Sequence, residues 1–328
     1  MKYRAFLAAA ALMGVVWMLT AATTPSLTRL ANREIVISHT TTPNSYQRIE
    51  ASPDLQTWTP LITLFTTGTF SHTDSAAPYF LQRFYRVQTL ASAPVLTGDH
   101  LVTADGEVII HPVNHASFVM SWNGRTIYND PVGGAAPYAA FPRADLILVS
   151  HSHGDHYDNT NITLAAVLGA GGRIIAPQAV YNSMTTALKG ATTIMLTGQT
   201  NPANNTPPQS VIGLTVAALP AYNAVYHALG SGNGYVLTIG GKRIYVSGDT
   251  GDTAEMRALP NIDVAFVCMN EPYTMTIPQA VSAVRAFRPR VVFPYHYRNQ
   301  NNSFADLASF KQQVGTDLGI EVRLRAWY

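Results

Sequence analysis

Ala144-Asp145-Leu146-Ile147-Leu148-Val149-Ser150-His151-Ser152-His153-Gly154-Asp155-His156 carries the fold and the chemistry together. Leu146 to Val149 is an unbroken apolar run, the pattern of a strand covered on both faces. It ends in His151, His153, Asp155 and His156, so three of the chain's 10 histidines and a carboxylate fall within six positions. Alternate side chains of an extended loop share one side. His151 and His153 can therefore hold one ion, while Asp155 and His156 face a neighbouring one. Imidazole with carboxylate oxygen suits Zn2+, with Mn2+ or Fe2+ as further occupants of an N/O site. Ligands of α/β proteins also gather beyond the carboxyl ends of strands.

The bulk properties narrow the function. The chain has 328 residues, enough for a sizeable core and a second small domain, and only 12% of them are charged. With 21 basic and 19 acidic residues and no Lys/Arg stripe, the electrostatic footprint of a nucleic-acid binder is missing. Lys2 and Arg4, the apolar stretch Phe6 to Leu19 and the small residues Thr20-Ala21-Ala22 form an export signal over 1–22. This predicts a secreted or periplasmic protein with no membrane span after signal removal. The single cysteine, Cys268, permits no intrachain disulfide and sits in an apolar run as a buried small side chain.

The remainder divides near residue 95. Residues 33–92 read as short strands rich in β-branched and aromatic residues, separated by Pro43-Asn44, Ser52-Pro53-Asp54 and Thr67-Gly68, which predicts a small β-sandwich. The stretches Tyr46 to Trp58 and Gln82-Arg83-Phe84-Tyr85-Arg86 resemble a fibronectin-like accessory module. His39 and His72 lack chelating neighbours there and are read as surface residues. His100 and His111 are read as surface or structural. Residues 98–328 alternate strands with helices, and Trp122-Asn123-Gly124 and Gly240-Gly241 mark hairpins. Thr276 and Gln279 have the spacing of a capping box. Ser303 is expected to open the last helix, to about Leu318, and Glu321 to Trp327 to form a final strand. The loop 198–208 is placed at the border of the site.

The His-x-His-x-Asp-His motif at 151–156, with Asp130-Pro131 before it and Gly248-Asp249-Thr250 after it, resembles the metallo-β-lactamase superfamily of metal-dependent hydrolases, in its lactonase and phosphodiesterase-like branch. The resemblance covers about residues 100–328. It implies an α+β fold, an αββα four-layer sandwich with the N-terminal all-β module ahead of it, and one or two ions at a sheet edge. It makes Asp249 the bridging ligand and His296 the late histidine of the second position. The remaining ligand stays open between Asn223 and His227; imidazole, the better zinc ligand, favours His227. His115, in Val113-Asn114-His115-Ala116-Ser117, resembles an early segment of the same branch and takes a substrate-contact or supporting role. Asp130 is placed to orient a metal ligand.

Such a centre activates water for attack on a small-molecule substrate, with Asp155 as ligand and proton acceptor and no covalent protein intermediate. No Gly-x-Ser-x-Gly elbow competes with it. An ester, a lactone or a phosphodiester all fit. The alternative is a secreted, non-catalytic binding protein with a degenerate metal site, to which the departure at Asn223 points. Oligomeric state is outside these patterns.

Overall fold

The computed structural model describes residues 24–328; the signal-like segment 1–22 lies outside them. Two sheets packed face to face, each backed by helices, give the αββα sandwich. The run Leu146 to Val149 shows why. Leu146 and Leu148 enter the core between the sheets, whereas Ile147 and Val149 enter a second core on the opposite face. That second core is closed by Leu164 and Val167 of helix Ile162–Val167, Val180 of Gln178–Ser183 and Leu188 of Thr186–Ala191. A period of two thus feeds two apolar layers, and no polar position interrupts the run from Leu146 to Val149.

In the first sheet, Arg125–Asn129 and Ala144–Leu148 pair in parallel, so the chain leaves both at the same edge, at Asp130 and at Ser150-His151. In the second, Lys242–Val246, Val264–Cys268 and Val291–Tyr295 are also parallel, and Asp249 and His296 follow the first and third of these strands. Asn123 and Gly124, with φ of 47° and 72°, form the tight hairpin before Arg125–Asn129. Helix Ile277–Phe287 backs the second sheet. It opens with the Thr276–Gln279 capping box and buries Ala280, Val281, Ala283, Val284 and Phe287. Cys268 is fully buried, which pushes its thiol up to about 11.

The N-terminal module is a two-layer all-β unit. The sheet of Ser26–Arg29, Ile35–Thr40 and Thr69–Asp74 faces Ser45–Ser52, Thr59–Thr66 and Phe84–Thr89 across Ile37, Ile49, Ala51 and Leu61. The latter layer does not stop at residue 92. Ile62 and Thr63 pair with Asp99 and Gly98, so it continues into the first sheet of the sandwich and one ten-stranded sheet spans both parts.

Polar contacts reinforce this junction. Arg325 pairs with buried Asp99 at 2.7 Å, Arg323 with Glu321 at 2.7 Å, and Ser75 donates to Glu321 at 2.7 Å. Tyr79 donates to the Ile320 carbonyl at 2.6 Å, and Lys311 pairs with Glu34. His72 is enclosed here rather than on the surface, because the C-terminal arginines cover it. His100 is also buried, between Thr63 and Glu107.

The C-terminal elements are shorter than their patterns predict. The last strand is Glu321–Val322 alone, since the chain then turns Arg325 toward Asp99 and Trp327 into the core. The last helix is Leu307–Val314, capped by Asp306, which accepts from Ser309 N–H at 3.0 Å. Ser303 is instead held in the preceding loop by Asn301.

Candidate metal centre

The strand-end geometry places His151, His153, Asp155, His156, His227, Asp249 and His296 around one point, with His115 beside them. Three sets have their potential ligand atoms within 4.8 Å of one another: His151, His153 and His227; His115, Asp155 and His296; His151, His156 and Asp249. Asp249 joins the sets. Its Oδ1 lies 3.2 Å from His156 Nε2 and 3.3 Å from His296 Nε2. Its Oδ2 lies 3.4 Å from His227 Nε2 and 3.9 Å from His151 Nε2. Each oxygen therefore faces a different nitrogen cluster.

The backbone is bent to achieve this. His115, Asp130 and His296 take φ of 56°, 41° and 49°, a region that residues with a Cβ adopt at a cost of about 1–3 kcal/mol each. His296 N–H donates to the His115 carbonyl at 3.2 Å, and His115 N–H to that of Trp327 at 3.2 Å. These bonds tie the two sheet edges together.

Supporting side chains orient the rings. Asp130 accepts from His156 Nδ1 at 2.8 Å, which turns Nε2 toward Asp249 and His296. Ser150 Oγ donates to Asp130 Oδ2 at 2.7 Å and accepts from His151 Nδ1 at 3.0 Å, so His151 also turns Nε2 inward. The Asn223 amide is engaged by other partners. Its Oδ1 accepts from the N–H groups of Val225, Tyr226 and His227, and its Nδ2 donates to the Tyr273 carbonyl and to His227 Nδ1 at 2.9 Å. The resulting turn delivers His227 to the centre. With Nδ1 accepting, the His227 ring proton sits on Nε2, so metal uptake there has to displace it.

Burial and charge set the protonation states. Burial opposes ionisation of Asp249, but the charges of His296 and His156 outweigh it and hold the carboxyl well below its usual range. Asp155 follows the same pattern: burial is overcome by hydrogen bonds from His115 and His296. Burial, aided by His156, pushes His151 well below an ordinary histidine, and burial with His227 lowers His153. Burial works against protonation of His156 too, yet Asp249 and Asp130 raise it well above the usual value. Uncompensated polar atoms remain: His151 Nε2, His227 Nε2 and Asp249 Oδ1 are buried without a hydrogen-bond partner. Buried orphans of this kind are costly unless an ion satisfies them, and the donor set fits a divalent cation such as Zn2+.

The centre opens on one side. The Asp155 side chain is 43% exposed and that of Asp249 only 4%. His153 is exposed as well, whereas His151, His156, His227 and His296 are buried. His115 holds Asp155 Oδ2 at 3.0 Å through Nε2, and Tyr328 at 2.6 Å through Nδ1. Ser150, Asn270 and Tyr328 escaped the sequence reading. Ser150 abuts the motif and was open to notice; nothing local marks Asn270, 3.1 Å from His296 Nδ1, or Tyr328. Of the tyrosines near the motifs, Tyr157, Tyr295 and Tyr297 are core residues, while Tyr226 stays exposed and packs edge-on against Tyr273. Gly198, in the loop expected to border the site, packs against Leu229 and Gly230 of the His227 turn.

Residues 110–296 match the Beta-lactamase superfamily domain. A UPF0173 metal-dependent hydrolase of Thermococcus kodakarensis is 32% identical over 214 residues, 62% of this chain and 90% of that protein. One from Pyrococcus abyssi is 30% identical over 215 residues, with the same coverage. The crystal structure of a Parabacteroides distasonis protein, provisionally named a metal-dependent hydrolase, is 36% identical with a TM-score of 0.58, covering 70% of this chain and 97% of that one. Igni18, a metallo hydrolase of Ignicoccus hospitalis, is 27% identical with a TM-score of 0.55, covering 66% and 94%.

Proposed function

Starting from a chain that belongs to the beta-lactamase superfamily and is a metal-dependent hydrolase, we propose that it is exported and cleaves a small ester, lactone or phosphodiester at a two-ion zinc centre. The division of Asp249 between two nitrogen clusters carries this reading. His151, His153 and His227 with Asp249 Oδ2 would hold one ion; Asp155, His156 and His296 with Asp249 Oδ1 would hold the other. When bound, the ions supply Lewis acidity to water and to the substrate oxygen.

The protein's own groups do the rest. Asp155 is ionised at neutral pH and half open to solvent, so it accepts the proton of the attacking water and can return it to the leaving group. His115, with its Nδ1 against Tyr328, keeps that carboxylate turned toward His296. Asp130 and Ser150 prevent rotation of His156 and His151. The turn that Asn223 builds around His227 supports a complete site over a degenerate one.

Export is supported by Lys2, Arg4, the apolar stretch after them and Thr20-Ala21-Ala22. Among the described residues no helix is long and apolar enough to cross a membrane. The decisive measurement pairs metal content with hydrolysis of an ester, lactone and phosphodiester panel, in the wild type and in His153→Ala. Two equivalents of metal and a turnover lost in the variant are expected. A metal-free protein, or undiminished turnover in His153→Ala, overturns the reading.

A further inference from the structure

Beyond residue 98, the large apolar side chains that remain exposed are Ile162, Val225, Tyr226, Leu229, Phe304 and Tyr328, with Val102 as the exception. They come from four separate segments, yet each segment borders the metal centre or packs on one that does. Val225, Tyr226 and Leu229 lie in the turn that Asn223 folds around His227. Tyr328 touches His115 through its hydroxyl, and Phe304 packs on the Tyr328 ring at 5.0 Å. Ile162 lines a recess of about 530 Å³ together with Ser152 and Gly154, which alternate with His151, His153 and Asp155. Scattered apolar residues on a surface need no explanation; a set confined to the rim of one site does.

The charges beside this rim matter equally. The recess carries no cation, and its one charged residue, Asp158, is occupied by Thr160 and Thr163. Arg298 lies over the Tyr328 ring, 5.0 Å from its centre. An anionic substituent in the recess would therefore meet apolar and acidic surface, and Arg298 is the cation beside the rim, at its Tyr328 end. A neutral one with a hydrocarbon chain would cover side chains that water now wets.

The geometry points to a carboxylic ester bearing an apolar chain as the substrate class, the carbonyl at the metal centre and the chain across Val225, Tyr226 and Phe304 or into the recess beside Ile162. This rests on the hydrolase reading above and chooses among its substrates. In the reaction, water adds to the acyl carbon and the C–O bond to the alcohol breaks. One proton of the water passes through Asp155 to the alkoxide and the other is released to solvent, giving the alcohol and the carboxylate.

The test separates binding from turnover. Acetohydroxamate and octanohydroxamate, which chelate zinc through the same group, are titrated by calorimetry into the zinc-loaded full chain. Fully buried methylenes each raise affinity about fourfold, and about twofold on a half-open rim. An octanoyl advantage of tenfold or more is therefore expected. It should shrink severalfold in Val225→Asp and Phe304→Asp, at unchanged metal content and melting temperature. In parallel, p-nitrophenyl octanoate should exceed p-nitrophenyl acetate in kcat/KM by a similar ratio, and both should exceed bis(p-nitrophenyl) phosphate. Equal hydroxamate affinities overturn the inference, as does preferred cleavage of the phosphodiester. A gain seen only above the micelle threshold assigns the rim to a lipid surface instead. Loss of the gain on self-association in sedimentation assigns it to a second copy. A hydroxamate gain with no ester, lactone or phosphodiester cleaved would leave the rim standing and sink the hydrolytic reading.

Discussion

Asp130 Oδ2 lies 2.8 Å from Nδ1 of His156, and both side chains are fully buried. The same carboxylate accepts the backbone N–H and the hydroxyl of Ser150, at 2.7 Å each, and Ser150 in turn contacts His151. One residue that touches no ion thus sets the rings of two candidate ligands. Replacing such an outer carboxylate costs about 10–100-fold in metal affinity. Asp130→Asn should lower zinc affinity by that factor, read by competition with a chromophoric chelator. An unchanged affinity would mean that the rings hold their orientation without it.

The two faces of Asp249 lead to a stoichiometric prediction. His227 lies near Oδ2 only, so His227→Ala should drop the metal content from about two equivalents to about one while His156 and His296 keep theirs. Asp249→Ala removes an oxygen from both positions and should leave well under one. Elemental analysis after gel filtration in trace zinc distinguishes the two. Equal losses in both variants would deny the bridging arrangement.

The legible part of the centre was its local part. His151 to His156 follow one strand within six positions, and the apolar runs before Asp249 and His296 mark the strand ends that present them. The His227 question was not legible, because it depends on an Asn223 side chain bonding three successive N–H groups, a turn that composition alone does not reveal. Tyr328 reaches His115 across 213 positions, and no periodic signal records a contact that distant. The same holds for the seam at Ile62–Asp99. Two residue pairs make a continuous sheet out of parts whose compositions read as separate.

Asp155 and Asp249 should fail differently. Asp155 is the half-exposed carboxylate, held by His115, and is positioned to carry a proton as well as to bind. General acid–base groups contribute about 10²–10⁴-fold. Asp155→Asn is expected to lower kcat by that range at saturating zinc, with KM nearly constant. Tyr328→Phe, which frees His115 and the Arg298 N–H, should cost less than tenfold. Steady-state kinetics on the best substrate of the panel decide this. A Tyr328→Phe loss as large as that of Asp155→Asn would place the hydroxyl itself in the chemistry.

His72, enclosed at the seam, should make stability depend on pH. Burial is the main cause of its depressed pKa; Arg325 and Arg323 add to it, Asp99 and Glu321 oppose it, and it falls from 6.5 to about 3. The unfolded chain therefore binds a proton between pH 6.5 and about 3 that the folded chain refuses. Above pH 6.5 the ring is neutral in both states and costs nothing. As pH falls below that value the folded state loses about 1.4 kcal/mol per unit from this group. In His72→Gln that contribution disappears. Urea denaturation from pH 7.5 to 5, with the metal removed by chelator in both proteins, should show wild-type stability falling faster by about that slope. Parallel curves would mean that His72 takes up its proton in the folded protein, with Asp99 and Glu321 outweighing the arginines.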